Sequence, residues 1–386
     1  RDAVEKSMKA GMMVITGGPG TGKTTLIRAI ITAAEQNGLE PALMAPTGRA
    51  AKRLAISSGR DADTIHKALE ASVRETGRTY FERNEANPLE EDLIIVDEAS
   101  MLDISLFYHL LCALKDGARL ILVGDIDQLP PVGAGEPLKD LMSWGYVPIV
   151  RLKRIFRQEE GSGIVENAAL IRKGEMCVPD EAGEFRIVYA ADDEDAYRIV
   201  MDLCRELNYG NEENKMLLQV LSPMYRGVCG VDHLNESLQE MIHGEKVPDG
   251  MKFFPGDKVM QTRNDYEKGI YNGDVGTVWT ATPQKVFVRY FDKEVVYEGE
   301  ERFDLRLAYA VTVHKSQGSE YETVIFILRP SQHNMLQRNL LYTGVTRARK
   351  NTILVTAPDA LRRALAIQHT GNRYSLFLPF LNHEAL

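Results

Sequence analysis

The run Gly17-Gly18-Pro19-Gly20-Thr21-Gly22-Lys23-Thr24 limits the folds open to this chain more than any other stretch. Glycines at this spacing let backbone N–H groups wrap an anion, and the loop works only between a strand and the start of a helix. Both flanks are present. Gly11-Met12-Met13-Val14-Ile15-Thr16 reads as a short buried strand, and Thr25-Leu26-Ile27-Arg28-Ala29-Ile30-Ile31 as a helix whose N-terminal dipole faces the phosphates. The expected ligands are ATP and Mg²⁺. Gly18, Pro19, Gly20, Thr21, Gly22 and Thr25 belong to the cradle, Lys23 neutralises the β- and γ-phosphates, and Thr24 ligates the metal.

Leu93-Ile94-Ile95-Val96 is a second apolar strand, ending in Asp97-Glu98. A carboxylate at a strand's C-terminal end can hold the Mg²⁺ shell, the role expected of Asp97. Glu98, one residue on, can orient or deprotonate the attacking water. A third strand, Arg119-Leu120-Ile121-Leu122-Val123, runs into Gly124-Asp125-Ile126-Asp127-Gln128-Leu129-Pro130-Pro131. Gln128 is placed to sense the γ-phosphate through a hydrogen bond; the bland alternative is a proline-stiffened loop.

Bulk properties exclude rather than identify. A chain of 386 residues, 44% hydrophobic and 26% charged, suits a soluble globular protein of two or three domains. No apolar run reaches membrane-spanning length and no secretory segment opens the chain, so neither a membrane partner nor export is expected. Cys112, Cys177, Cys204 and Cys229 form no C-x-x-C pair and the eight histidines show no ligand spacing, which predicts a reduced, cytoplasmic setting and no structural metal. A net charge of −9 argues against a generic polyanion-binding surface but leaves room for a local channel of cations and aromatics. Arg1-Asp2-Ala3-Val4-Glu5-Lys6-Ser7-Met8 reads like the middle of a helix, so the chain is expected to come from a longer protein.

Strands ending at Thr16, Ala45, Val96 and Val123, with Val147-Pro148-Ile149-Val150, predict a parallel α/β domain over residues 1–150. Residues 71–88 break the rhythm and suit either a small projecting β-hairpin or an irregular surface loop. A second α/β domain is expected over 151–386. Within it, short alternating strands at about 254–306 predict an inserted small β-barrel.

Taken together, the motifs resemble a superfamily 1B helicase of the RecD-like (RecD/TraA) type, over nearly the whole chain and in the correct order. Motif I is similar to Gly17–Thr25, Ia to Ala45-Pro46-Thr47-Gly48-Arg49-Ala50-Ala51, Ib to Thr64-Ile65-His66 and II to Asp97-Glu98-Ala99-Ser100. Motif III resembles the Gly124–Pro130 run and IV Arg154-Ile155-Phe156-Arg157-Gln158. Motif V resembles residues 309–320 and VI Tyr342-Thr343-Gly344-Val345-Thr346-Arg347-Ala348-Arg349. The resemblance implies two RecA-like domains with ATP between them, a hairpin pin in the first and an SH3-like barrel in the second. It implies ATP-driven 5′→3′ movement on single-stranded DNA and opening of single-strand/duplex junctions. Arg157 and Arg347 would then be the arginines that reach the γ-phosphate, with Gly318 and Glu320 at the nucleotide and Glu320 on its ribose. DNA contacts would fall to Thr47, Gly48, His66, Thr312 and His314, and further to Ser222, Pro223, Arg263, Asn264, Tyr266 and Asn272. The family's adenine-reading glutamine has no counterpart before Gln36. An RNA helicase of the same superfamily, or a nucleotide-gated single-strand clamp or translocase that does not unwind, stays open as an alternative.

Overall fold

A computed structural model describes residues 2–73, 79–152, 162–248, 250–265, 267–291, 293–368 and 377–382. Two compact units result: Arg1–Glu159 together with Gly371–Leu386, and Glu160–Thr370.

The first unit is built on β1 (Met12–Thr16), β2 (Pro41–Ala45), β3 (Asp63–Thr64), β6 (Leu93–Val96), β7 (Arg119–Gly124) and β8 (Ile149–Arg151), with β4 (Ala71–Val73) and β5 (Thr79–Phe81) set apart. Its six-stranded sheet runs β3-β2-β6-β7-β1-β8, every pair parallel. These strands read as continuous apolar runs because both faces are covered. Val14, Ile94, Val96, Leu120 and Leu122 enter one core, and their neighbours Met13, Ile15, Ile95, Ile121 and Val123 enter the other, the period-two alternation of a strand. The helix Lys23–Gln36 closes the second core through Ile27, Ile30, Ile31 and Ala34, spaced along one helical stripe. Loops at the C-terminal ends of β1, β6 and β7 therefore lie along one edge of the sheet, the edge where open α/β sheets bind ligands.

β4 and β5 form an antiparallel hairpin, Ala71 opposite Phe81 and Val73 opposite Thr79; residues 74–78 at its tip lie outside the described residues. Phe81 anchors its base, with ring centroids 4.5 Å from His109 and 5.9 Å from His66. The helix Phe377–Leu381, near the end of the chain, groups with the first unit. The cause is apolar. In the short helix Phe377–Leu381, Phe377 and Leu381 pack on the first unit's core, Phe377 meeting Phe107 edge-on at 5.8 Å.

The second unit carries β9 (Phe185–Tyr189), β10 (Leu218–Ser222), β16 (Ala310–Thr312), β17 (Tyr321–Leu328) and β18 (Ala348–Thr356) in a parallel sheet of order β16-β10-β17-β18-β9. Between β10 and β16 the chain leaves to build a separate antiparallel sheet. Its strands are β11 (Lys258–Gln261), β12 (Val275–Ala281), β13 (Lys285–Arg289), β14 (Glu294–Glu298) and β15 (Leu305–Leu307), in the order β14-β13-β12-β11-β15. That sheet has its own core of Phe253, Val259, Ile270, Val278, Val288 and Tyr297. A buried polar seam joins it to the parallel sheet. The fully buried Asp257 accepts from Gln239 Nε2 at 2.5 Å, His243 Nε2 at 2.9 Å, Tyr309 OH at 2.8 Å and the Phe254 N–H at 2.7 Å. Next to it, Lys258 Nζ donates to Leu218 O at 3.0 Å and Gln219 Oε1 at 2.9 Å, over the faces of Tyr209 and Tyr321. A charge with so many fixed partners is tolerated in a core, and the bonds to Tyr309, Leu218 and Gln219 tie the inserted sheet to the strands of the parallel sheet.

Candidate functional site

The glycine-rich loop leaves β1 under tight constraint. Gly20 and Gly22 hold φ of 72° and 84°, the left-handed region that glycine enters without steric cost. Gly17 has no room for a side chain: a Cβ there would stand 2.6 Å from Thr21 Oγ1 and 2.9 Å from Leu152 Cβ. Lys23 Nζ folds back to donate to Gly17 O at 2.7 Å and Gly18 O at 3.0 Å, and Thr21 Oγ1 donates to Gly18 O at 2.8 Å. Gly22 caps the following helix without any side-chain acceptor, so the first-turn N–H groups have no side-chain partner at the cap. Thr24 is half-buried and Thr25 exposed at that turn.

Asp97 follows β6, and its carboxylate accepts the Glu98 N–H at 2.9 Å. Burial, then the charge of Glu98, pushes the Asp97 carboxyl up to about 6, against the opposing pull of the Glu98 N–H, Arg53 and Lys23. Glu98 sits at φ 51° although it is not glycine, and it is buried. A non-glycine residue held in the left-handed region costs about 1 kcal/mol or more, and such strain collects at working sites. Gln128 is buried with its backbone N–H on Asp125 O at 3.3 Å, while its Oε1 and the Ser100 Oγ have no hydrogen-bond partner among the described residues. Both residues line one small hollow closed by Leu102, Leu129 and Pro130. A loop carbon with no room for a side chain, an uncapped helix start and a carboxyl whose ionisation burial makes costly fit a magnesium–triphosphate. Lys23, Thr24, Asp97 and Gln128 are the residues that would hold it, and the metal would supply charge neutralisation on the phosphates.

Removing the Asp97 charge gives a direct stability readout. Its folded pKa lies above the unfolded value of 3.8, so the folded state binds the proton more tightly and stability falls as pH rises from about 4 through 6. Asp97→Asn is therefore expected to raise the melting temperature of Mg²⁺-free protein by a few degrees at pH 7.5, with the gain shrinking towards pH 4. Thermal melts across that range check it, and an unchanged or lower melting temperature at pH 7.5 contradicts the burial argument.

The expected DNA residues of the first unit have structural work as well. Thr47 caps the helix Gly48–Ser58 by accepting from Ala50 N, and Gly48 is buried at that helix start. His66 is half-buried and burial lowers its pKa, with Asp103 pulling the other way. Arg53, in the same helix as Gly48, was missing from the sequence expectations although its charge reaches Asp97; its place five residues after Gly48 was the only available signal.

In the second unit Arg347 is buried: its guanidinium donates to Thr343 O at 3.0 Å, Ser319 O at 3.1 Å and Thr346 Oγ1 at 3.4 Å. Those partners tie the 342–349 segment to the turn around Gly318, which holds φ 72°. Glu320 pairs with Arg349 at 3.0 Å. Ser222 and Pro223 are buried at the end of β10, Ser222 Oγ donating to Cys229 O at 2.6 Å and accepting from Gln332 at 3.2 Å. The exposed side chains of that turn are their neighbours Tyr225 and Arg226. Thr312 Oγ1 accepts from Lys315 N at 3.2 Å, and burial lowers the pKa of His314. Arg263 is 80% exposed and lies 3.4 Å from Asp304; Asn264 Oδ1 accepts from Asn272 N at 2.9 Å. Asn272 Oδ1 accepts from Lys315 Nζ at 2.7 Å, joining the inserted sheet to the 309–320 segment. Arg157 and Tyr266 lie outside the described residues.

Three family descriptions match the chain: an AAA domain over residues 1–134, the SH3 domain of ATP-dependent RecD-like DNA helicases over 234–290, and a UvrD-like helicase C-terminal domain over 307–355. The ATP-dependent RecD2 DNA helicase of Deinococcus radiodurans is 39% identical over 369 residues, covering 95% of this chain and 50% of that protein. The RecBCD enzyme subunit RecD of Mycolicibacterium smegmatis is 33% identical over 419 residues, covering 97% of the chain and 74% of that protein. Among solved structures, a Bacteroides Pif1 helicase in complex with ADP-AlF3 and single-stranded DNA has a TM-score of 0.59 at 21% identity, covering 99% of this chain and 96% of that one, a likeness of fold. The chain spans half the length of the Deinococcus relative. No helix among the described residues is long and apolar enough to cross a membrane.

Proposed function

The chain belongs to the RecD-like helicase family, and from that premise we propose that it hydrolyses ATP to move 5′→3′ along single-stranded DNA and separate the duplex ahead. The observation that carries this reading is the carboxylate pair at the end of β6, Asp97 held up by burial and Glu98 on strained backbone, within reach of the charge of Lys23 in the glycine-rich loop. Lys23 steadies the loop through its carbonyls and is the cation for the β- and γ-phosphates. Thr24 and Asp97 bind the metal. Glu98 orients and deprotonates the attacking water, and Gln128 reads the γ-phosphate by donating from its amide nitrogen. Arg157 and Arg347 are the proposed arginines for transition-state charge. On the DNA side, Thr47, Gly48 and His66 in one unit and Thr312, His314, Arg263 and Asn272 in the other are the proposed strand contacts.

The test compares ATP turnover with and without oligo-dT, alongside unwinding of matched duplexes that carry either a 5′ or a 3′ tail. Stimulation with opening of the 5′-tailed duplex alone is the expected result. Opening only from a 3′ tail overturns the direction, stimulation without opening leaves a translocase or clamp, and no stimulation removes the nucleic-acid motor.

A further inference from the structure

We propose that one resident water bridges the Ser100 hydroxyl to the Gln128 amide oxygen, which makes Ser100 a positioning residue for ATP hydrolysis. The inference rests on the reading of Gln128 as the γ-phosphate sensor and adds what turns its amide towards that phosphate.

Ser100 and Gln128 are 8% and 5% exposed, and neither Ser100 Oγ nor Gln128 Oε1 has a hydrogen-bond partner among the described residues. Protein interiors satisfy nearly all such atoms, with protein groups or with ordered water. The hollow that both residues line measures about 20 Å³, above the roughly 10–15 Å³ that one water needs. Leu102, Leu129 and Leu138 give it apolar walls, and its charged residues, Glu136 and Lys139, pair with each other at 3.4 Å. A water placed there has the hydroxyl and the amide oxygen as its partners.

Close backbone approach brings the pair together. A Cβ on Gly124, where β7 ends, would stand 2.9 Å from the Ser100 N. Beyond it, the Asp127 N–H donates to Asp125 Oδ1 at 3.1 Å and the Gln128 N–H to Asp125 O at 3.3 Å, which fixes the loop backbone. Those bonds do not choose which way the Gln128 amide faces, because its oxygen and nitrogen have nearly the same shape. The water makes that choice. It accepts from the Ser100 O–H, donates to Oε1 and leaves Nε2 as the donor towards the phosphate. Ser100 lies two residues after Glu98, so the bridge ties the phosphate sensor to the segment that carries both carboxylates.

ATP turnover of the full chain with oligo-dT, measured in a double-mutant cycle, tests the bridge. Gln128→Ala is expected to lower kcat about a hundredfold and Ser100→Ala about tenfold, each with the KM for ATP within roughly twofold. In the Gln128→Ala background, Ser100→Ala is expected to cost nothing more, whereas a merely structural role would multiply the two losses. Unchanged thermal melts identify folded variants. Wild-type crystals diffracting to high resolution are expected to show one ordered water within hydrogen-bond distance of both atoms, a readout that needs no variant. A dry hollow, a direct Ser100–Gln128 bond, multiplied losses, or a Ser100→Ala variant with full turnover or a raised KM overturns the bridge while the sensor reading survives. Full turnover in Gln128→Ala removes the sensor reading, and the role of the bridge with it.

Discussion

Glu98→Gln is expected to lower single-strand-stimulated ATP turnover about a thousandfold while ATP affinity stays within a few fold. The substitution keeps size and shape and removes only the proton-accepting charge. Glu98 follows Asp97 directly with its backbone left-handed at φ 51°, and the proposed function gives the two carboxylates different tasks. Lys23 and the loop N–H groups, to which the proposed function assigns binding, are untouched. Phosphate release and a fluorescent-nucleotide titration measure the two quantities separately. A loss of affinity equal to the loss of turnover would mean that Glu98 holds the nucleotide or its metal and is not the group that activates water.

Asp257→Ala should destabilise the second unit by about 4 kcal/mol, the cost of stripping the charged partner from a buried hydrogen-bonded group. Four donors from four places in the sequence converge on this carboxylate, and truncation strands Gln239, His243, Tyr309 and the Phe254 N–H without water to replace it. The imidazole of His243 also stacks on Phe254 at 4.4 Å, so the loss loosens the entry to the inserted sheet. Urea unfolding followed by an aromatic signal reads the change. A shift under 1 kcal/mol would show that the seam is wet or easily rearranged.

The two sites were unequally legible in the sequence. The glycine-rich loop and Asp97 could be read because adjacent residues do the chemistry, and because buried parallel strands announce themselves as apolar runs. The antiparallel insertion was legible for a related reason: short alternating strands with turn residues between them. Ser222 and Pro223, expected as DNA contacts, lie at the buried end of β10, and the exposed residue of that turn is Tyr225. Arg347 is sunk between the local carbonyl of Thr343 and the distant carbonyl of Ser319, the second of which the sequence could not place beside it. A few apolar residues near 377 gave no sequence sign that they would return to the first unit.

That return sets a timetable for synthesis. Phe107 leaves the ribosome long before Phe377, which packs against it, and the whole second unit is made in between. At 5–20 residues per second the interval is roughly 10–50 s, ample for the intervening unit to fold first. During that wait the nascent first unit presents an unsealed apolar face, the moment at which a chaperone has most to shield.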